Sequence, residues 1–253
     1  MDFWQVLLLV VVGFLAGIIN TMAGGGSLLT MPLLIFLGLD STMANGTNRI
    51  AILFQNATAI GGYRSKNQFA GKFGLGLGFA ALLGAIIGSK VALEISDGVF
   101  KKILAVVMIL VVVMTAINPS LQLKDGQKLV HRMGLKYKVF AVFSLFLTGI
   151  YGGFIQAGTG LFIMAALSFI NRYSLLEANV AKATIMLVYT LSAIVVFALD
   201  GQINLFYGLS LAFSMSIGAW WASRWSTAGG QKYIKWFMLV AVTAMAISLW
   251  IKS

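Results

Sequence analysis

The sequence predicts an all-α polytopic membrane protein with two homologous repeats, each holding a glycine-broken re-entrant helical hairpin and three transmembrane helices. The 253 residues are 60% hydrophobic and 10% charged, and the mean hydropathy is +0.94. A soluble domain of this size could not bury so many apolar side chains. Apolar runs of helix-spanning length recur from end to end, and the second half of the chain repeats the pattern of the first.

The first apolar segment is interrupted by the glycine run Gly24–Gly26, with Ser27 and Pro32 close behind. Three successive glycines disfavour a continuous helix. In lipid, a broken backbone is tolerated only where protein buries it or where it lines a polar cavity. We therefore expect two short helices, over about 3–19 and 27–37, that meet at the break. The alternative is that the glycines only allow helices to pack closely.

Three further spans complete the first repeat, and we expect helices over about 43–62, 73–93 and 103–117. Asn118-Pro119 ends the last of these. A basic polar segment follows and is the natural boundary between the halves. The predicted division is a first membrane repeat over 1–118, a cytoplasmic connector over 119–138 and a second membrane repeat over 139–253.

The second half contains the same series of elements. An apolar segment over 140–170 is broken by glycines, and three spans follow over 175–199, 205–221 and 233–251. A shift of 134 residues places Asn45 on Asn179, and the register holds without a gap across roughly sixty residues. Two homologous halves are typical of transporters, whose substrate lies between the repeats.

The distribution of basic loops favours inverted halves. If each broken element returns to its own side, three crossings per half invert the second repeat, and most basic loops then face the cytoplasm. Lys90, Lys101 and Lys102 remain on the other side. If the broken elements cross fully, the halves are parallel and the basic loop around Lys232 lies outside. The inverted arrangement segregates charge better.

The helix over 43–62 carries a polar stripe on one face, because its polar residues are spaced three, four and seven apart. Each half contributes one cation to such a stripe, Arg49 and Lys182. Arg49 lies about 9 Å into its helix, where a basic side chain costs roughly 2–3 kcal/mol unless it meets water, a partner or a ligand. The alternative is that both cations snorkel to the interface. The two cations sit one position apart in this register. The stripe residues are Asn45, Asn48, Arg49, Gln55 and Asn56, matched in the second half by Asn179, Lys182, Ala183, Tyr189 and Thr190.

These features predict an anion site between the halves. It would combine the two cations with amide side chains and with free N–H groups where helices restart after the glycine breaks. Helix N-termini favour anions through their dipole and unpaired donors, and broken transporter helices use this arrangement.

The broken segment with its proline, the sequence Ala-Asn-Gly-Thr-Asn-Arg over 44–49, and the second break closing on Gly158-Thr159-Gly160 resemble the sulfite exporter TauE/SafE family. The resemblance covers nearly the whole chain. It implies a multi-pass permease of the bacterial inner membrane for small sulfur-containing anions such as sulfite, thiosulfate or organosulfonates. The second break is poorer in glycine, so we expect Gln156 and Thr159 to donate where the first half uses backbone. The candidate substrate-binding residues are Gly24, Gly25, Gly26, Ser27, Asn45, Asn48, Arg49, Gln55, Gln156, Gly158, Thr159, Gly160, Asn179 and Lys182.

Other functions lack the residues they need. An intramembrane hydrolase with Ser27 as nucleophile needs a base, and the only histidine, His131, lies in the basic connector. A cation transporter needs buried carboxylates, yet the seven acids fall in loops or at span ends. The net charge of +11 lies mostly between apolar runs, where lipid headgroups explain it better than nucleic acid. We expect no enzyme activity, cofactor or metal. A passive anion channel and a permease for another small organic anion stay open, whereas a non-transporting scaffold gives no reason for matching polar stripes in the two repeats.

Overall fold

The computed structural model describes residues 3–69, 71–117, 131–225 and 231–252. These residues form helices joined by short turns. Six of the helices are long and apolar enough to cross a membrane: α1, α4, α5, α6, α8 and α9. The chain is therefore a multi-pass, all-α membrane protein, as the sequence predicts. The helices are α1 (Phe3–Ala23), α2 (Ser27–Phe36), α3 (Ser41–Arg64), α4 (Gly71–Glu94), α5 (Asp97–Ile117), α6 (Leu135–Phe154), α7 (Thr159–Asn171), α8 (Leu175–Leu199), α9 (Leu205–Trp225) and α10 (Gln231–Lys252).

The observed helices lie close to the predicted ranges, with two informative differences. α1 continues past the predicted end at Ile19 to Ala23, because side chains from α8 bind the carbonyl groups of its last turn. α5 begins at Asp97 and not near Ile103, because the Asp97 carboxylate pairs with Lys101 and accepts a hydrogen bond from the Ser41 N–H at 2.7 Å. Most of the predicted connector, over 119–130, lies outside the described residues.

Helices of one half pack mainly against helices of the other. The most extensive contacts join α1 and α3 to α9, and α6 and α8 to α4. Small residues allow this close approach: an added Cβ at Gly84 or Gly88 would meet the backbone of α6, and one at Gly17 would meet the backbone of α9. The glycine spacing in α4 therefore serves helix packing.

Contacts between the halves also give the relative directions of the helices. Gly78 lies against Val188, and the Leu82 carbonyl oxygen accepts a hydrogen bond from Ser192, so α4 and α8 run parallel. The same ascending order of contacts makes α4 parallel to α6, and α9 parallel to both α1 and α3.

The two polar-stripe helices, α3 and α8, run in opposite directions. Near the start of α3, Gly46 lies against Phe197 in the last turns of α8. Near the end of α3, Tyr63 shares a buried cluster with Val180, which is in the second turn of α8. This antiparallel pair brings both stripes into the centre of the protein, where the site is found.

Candidate functional site

The two broken segments meet at the centre of the molecule. Gly24 has a left-handed backbone (φ 79°), and an added Cβ there would lie 2.5 Å from the carbonyl carbon of Gly160. The Ser27 hydroxyl donates to the Gln156 carbonyl oxygen at 3.3 Å and accepts from the Gly158 N–H at 3.2 Å. The starts of α2 and α7, which come from different halves, therefore touch. Both breaks predicted from the glycines are present, and both are buried.

Arg49 on α3 binds the end of α6. The side chain is 0% exposed, and its guanidinium donates to the carbonyl oxygens of Gly152 (3.1 Å) and Gly153. It also donates to the side-chain oxygens of Gln156 (2.7 Å) and Asn45 (3.1 Å). A cation is favoured here because the carbonyl end of a helix carries partial negative charge.

Lys182 on α8 binds the end of α1 in the same manner. The residue is 1% exposed, and Nζ donates to the carbonyl oxygens of Asn20 (2.6 Å) and Thr21 (3.0 Å). It also donates to the side-chain oxygen of Asn179 at 2.7 Å. Neither cation reaches interfacial water, so the snorkelling alternative is wrong for both.

The asparagines next to these cations complete a matching pair of caps. Asn45 Nδ2 donates to the Phe154 carbonyl oxygen at 2.7 Å, and Asn179 Nδ2 donates to the Met22 carbonyl oxygen at 3.2 Å. Asn45 and Asn179 are the residues that the shift of 134 superimposes. Each half therefore binds the carbonyl end of the other half's broken helix with one cation and one asparagine.

The other candidate residues line the same region. Asn48 Oδ1 accepts from the Thr30 hydroxyl at 2.7 Å. Gln55 accepts from Asn20 at 2.5 Å and donates to the Thr21 hydroxyl at 2.9 Å. Added Cβ atoms at the remaining glycines of the first break, Gly25 and Gly26, would meet the Met238 side chain and the Ala16 backbone, respectively.

Sequence reasoning missed three polar residues that take part in this network: Asn20, Thr21 and Thr30. Asn20 and Thr21 stand directly before the glycine run in an otherwise apolar segment, and that position was the available signal. Thr30 lies between two apolar residues on α2 and gives no such signal. Tyr189 and Thr190 belong to the stripe of α8, and both are fully buried beside the second break.

The site lies in the interior of the described part of the chain. All of its candidate side chains are buried. Four grooves on the described surface are lined mainly by apolar residues of α3 to α8, and none of the candidate site residues lines them.

Comparison with known proteins agrees with this architecture. The family model for sulfite exporter TauE/SafE matches residues 9–249. The chain therefore belongs to the TauE/SafE family of membrane proteins.

Curated relatives match along nearly their whole length. A probable membrane transporter protein, ORF9, from Sinorhizobium sp. is 27% identical, and the match covers 95% of this chain and 90% of the relative. A probable membrane transporter protein from Haemophilus influenzae is 26% identical, with coverage of 88% and 86%. The probable membrane transporter protein YfcA from Escherichia coli K12 is 25% identical, with coverage of 94% and 87%. No solved structure matches the chain significantly.

Proposed function

We propose that this protein is a secondary transporter that moves a small sulfur-containing anion, such as sulfite, thiosulfate or an organosulfonate, across a bacterial inner membrane. The observation that carries the proposal is the central contact between two broken segments, each held by a buried cation from the opposite half. The family description supports a sulfur-containing anion, and the names of the relatives support transport.

The directions of the helices support an inverted repeat. α3 and α8 occupy equivalent positions in the two halves, and they run antiparallel. α4 and α9 also occupy equivalent positions in the two halves. α9 runs parallel to α3 and α4 runs parallel to α8, so α4 and α9 are antiparallel as well. An inverted-topology repeat places its axis in the membrane plane and its substrate site near the midplane.

The short helices after the breaks support re-entrant hairpins. α2 has 10 residues and α7 has 13, which gives lengths of about 15 and 20 Å, well below the ~30 Å hydrocarbon core. The tips of the two hairpins contact each other. In this proposal each chain segment turns back near the centre and returns to its own side of the membrane.

Charge distribution supports the orientation. The ends of α3 and α9 and the starts of α4, α6 and α8 share one face, which is the cytoplasmic face by the positive-inside rule. Among the described residues, this face has one carboxylate, Glu177, and the opposite face carries Asp40, Glu94, Asp97 and Asp200 with Lys90, Lys101 and Lys102. The cytoplasmic cations are Arg64, Lys66, Lys72, Arg132, Lys136, Lys138, Arg172 and Arg224.

The contact between the hairpin tips supports a carrier over an open channel. Because the site is enclosed, an anion can enter only when the tips separate on one side. Alternate separation on the two sides would carry the anion across, as rigid-body movement of one repeat against the other does in transporters with inverted repeats.

Uptake of radiolabelled thiosulfate and sulfite into proteoliposomes tests the proposal, with protein-free liposomes as the background. We expect saturable uptake that is accelerated by unlabelled anion on the opposite side. Single-channel currents in planar bilayers would show that the protein is a passive channel and not a carrier. The absence of uptake for every sulfur anion, by protein shown to be folded, would contradict the proposed substrate class.

A further inference from the structure

Buried polar groups beside the second break have no hydrogen-bond partner among the described residues. They are Arg49 Nε, Gln156 Nε2, Tyr189 Oη and Thr190 Oγ1, and all four side chains are 0% exposed. The Tyr189 hydroxyl lies beside the side chains of Gln156, Thr159 and Thr190, but it forms no well-aligned hydrogen bond with them. Every one of these groups can donate a hydrogen bond. Buried donors normally have hydrogen-bond partners, so four unpaired donors in one place indicate a missing acceptor.

The bond from Arg49 fixes the direction of the Gln156 amide. A guanidinium only donates, so the Gln156 atom that it contacts at 2.7 Å must be the oxygen. Nε2 therefore faces the other way as a free donor. Gln156 also has a left-handed backbone (φ 65°), which is uncommon for residues other than glycine and is often found at ligand sites.

In the equivalent region of the first half, most side-chain donors already form hydrogen bonds. Gln55, the counterpart of Tyr189, donates to the Thr21 hydroxyl and accepts from Asn20. The unpartnered atoms there are acceptors, Asn20 Oδ1 and Asn56 Oδ1. Asn48 Nδ2 is a further unpartnered donor on α3, on the side chain that contacts α2. Free donors are thus concentrated at the second break.

We infer that Gln156, Tyr189 and Thr190 bind the oxygen atoms of the transported anion, with Arg49 Nε as a fourth donor. The inference rests on the proposed function, and it assigns the ligand to one break instead of to both equally. A deprotonated sulfur oxyanion offers several acceptor oxygens, so it satisfies donors that the described residues leave unpaired. The remaining N–H groups of Arg49 bind the end of α6, Gln156 and Asn45. Lys182 binds the end of α1, Asn179 on its own helix and the Met164 sulfur on α7. Lys182 is therefore a positioning residue.

Two nearly isosteric substitutions test the inference, each with a matched control on a similar residue elsewhere. Tyr189→Phe and Thr190→Val each remove a hydroxyl group from the donor cluster. Tyr207→Phe on α9 and Thr184→Val on α8 remove the same groups from half-buried positions away from the site. The measurements are the thiosulfate Kd of purified protein and its melting temperature with and without thiosulfate.

We expect each site variant to raise the thiosulfate Kd at least tenfold, because a hydrogen bond to a charged ligand is lost. Without ligand, both variants should melt at or above the wild-type temperature, because the deleted hydroxyls have no partner to lose. The controls should bind thiosulfate as the wild type does. An unchanged Kd for both site variants would overturn the inference, and so would a lowered melting temperature with the Kd unaffected, which is the signature of a structural role.

A panel of anions separates failure of the inference from failure of the proposed function. If wild-type protein transports thiosulfate and both site variants transport it with unchanged Kd, the inference fails and the function stands. If the wild type binds only a non-sulfur oxyanion, such as phosphate or nitrate, and the site variants weaken that binding, the inference holds and the sulfur class fails. If no anion raises the melting temperature of the wild type, both are overturned.

Discussion

Replacing Arg49 with methionine should destabilise the protein strongly, because this residue holds the end of α6 in place. The guanidinium donates to four acceptors: the Gly152 and Gly153 carbonyl oxygens and the side chains of Asn45 and Gln156. Methionine has a similar length and no donor. The change therefore tests whether the buried cation serves as a cap for a helix from the other half.

The expected magnitude follows from the acceptors that lose their donor. The Gly153 carbonyl oxygen keeps the Ser89 hydroxyl at 3.2 Å, so three acceptors are left unpaired, at about 1–3 kcal/mol each. The substitution also removes the free-energy cost of burying the charge, which is roughly 2–3 kcal/mol. The free energy of unfolding should therefore fall by about 3 kcal/mol.

Unfolding of purified protein in mixed detergent micelles, titrated with sodium dodecyl sulfate, measures this change. Arg64→Met is the matched control, since Arg64 ends the same helix and is exposed; it should alter the free energy of unfolding by less than about 0.5 kcal/mol. Equal, small effects for the two variants would refute the view that Arg49 caps α6.

Two further substitutions probe the same centre, one in each half. Lys182→Met should lower the free energy of unfolding by about 2 kcal/mol, measured by the same titration, and a neutral effect would mean that the end of α1 does not depend on α8. Gly24→Ala should lower the melting temperature well below that of Gly201→Ala. Both glycines have φ above +60°, but only at Gly24 would the new Cβ meet the backbone of Gly160, while Gly201 faces open space. Equal melting temperatures would show that the breaks are not in close contact.

The breaks could be predicted from local sequence, but the helix ends could not. Three successive glycines predict an interruption at 24–26, and the structure has it there. α1 nevertheless runs past Ile19 to Ala23, because Lys182 and Asn179 bind its final carbonyl groups from a distant part of the chain. Helix propensity describes only the local segment, so it cannot include a cap supplied by the other half.

Burial of the two cations could also be predicted, whereas their partners could not. The stripe spacing predicts that Arg49 and Lys182 face the protein interior, and both are buried. A search for carboxylates near them in sequence finds no adequate partner, because the partners are backbone carbonyl oxygens. Backbone groups at helix ends become available only after the helices break, and their positions depend on the packing of α3 and α8. That the same region binds an anion is a proposal that the binding measurements test.

The account depends on two halves of opposite orientation that meet at their broken segments, and cysteine labelling tests this most directly. The chain has no cysteine of its own, so single cysteines can be introduced at Asn67, after α3, and at Asp200, after α8. Both positions are exposed. With a membrane-impermeant maleimide applied to intact cells, the Asp200→Cys variant should react, and Asn67→Cys should react only after the membrane is opened. Reaction of both variants from the same face would mean parallel halves and would contradict the account.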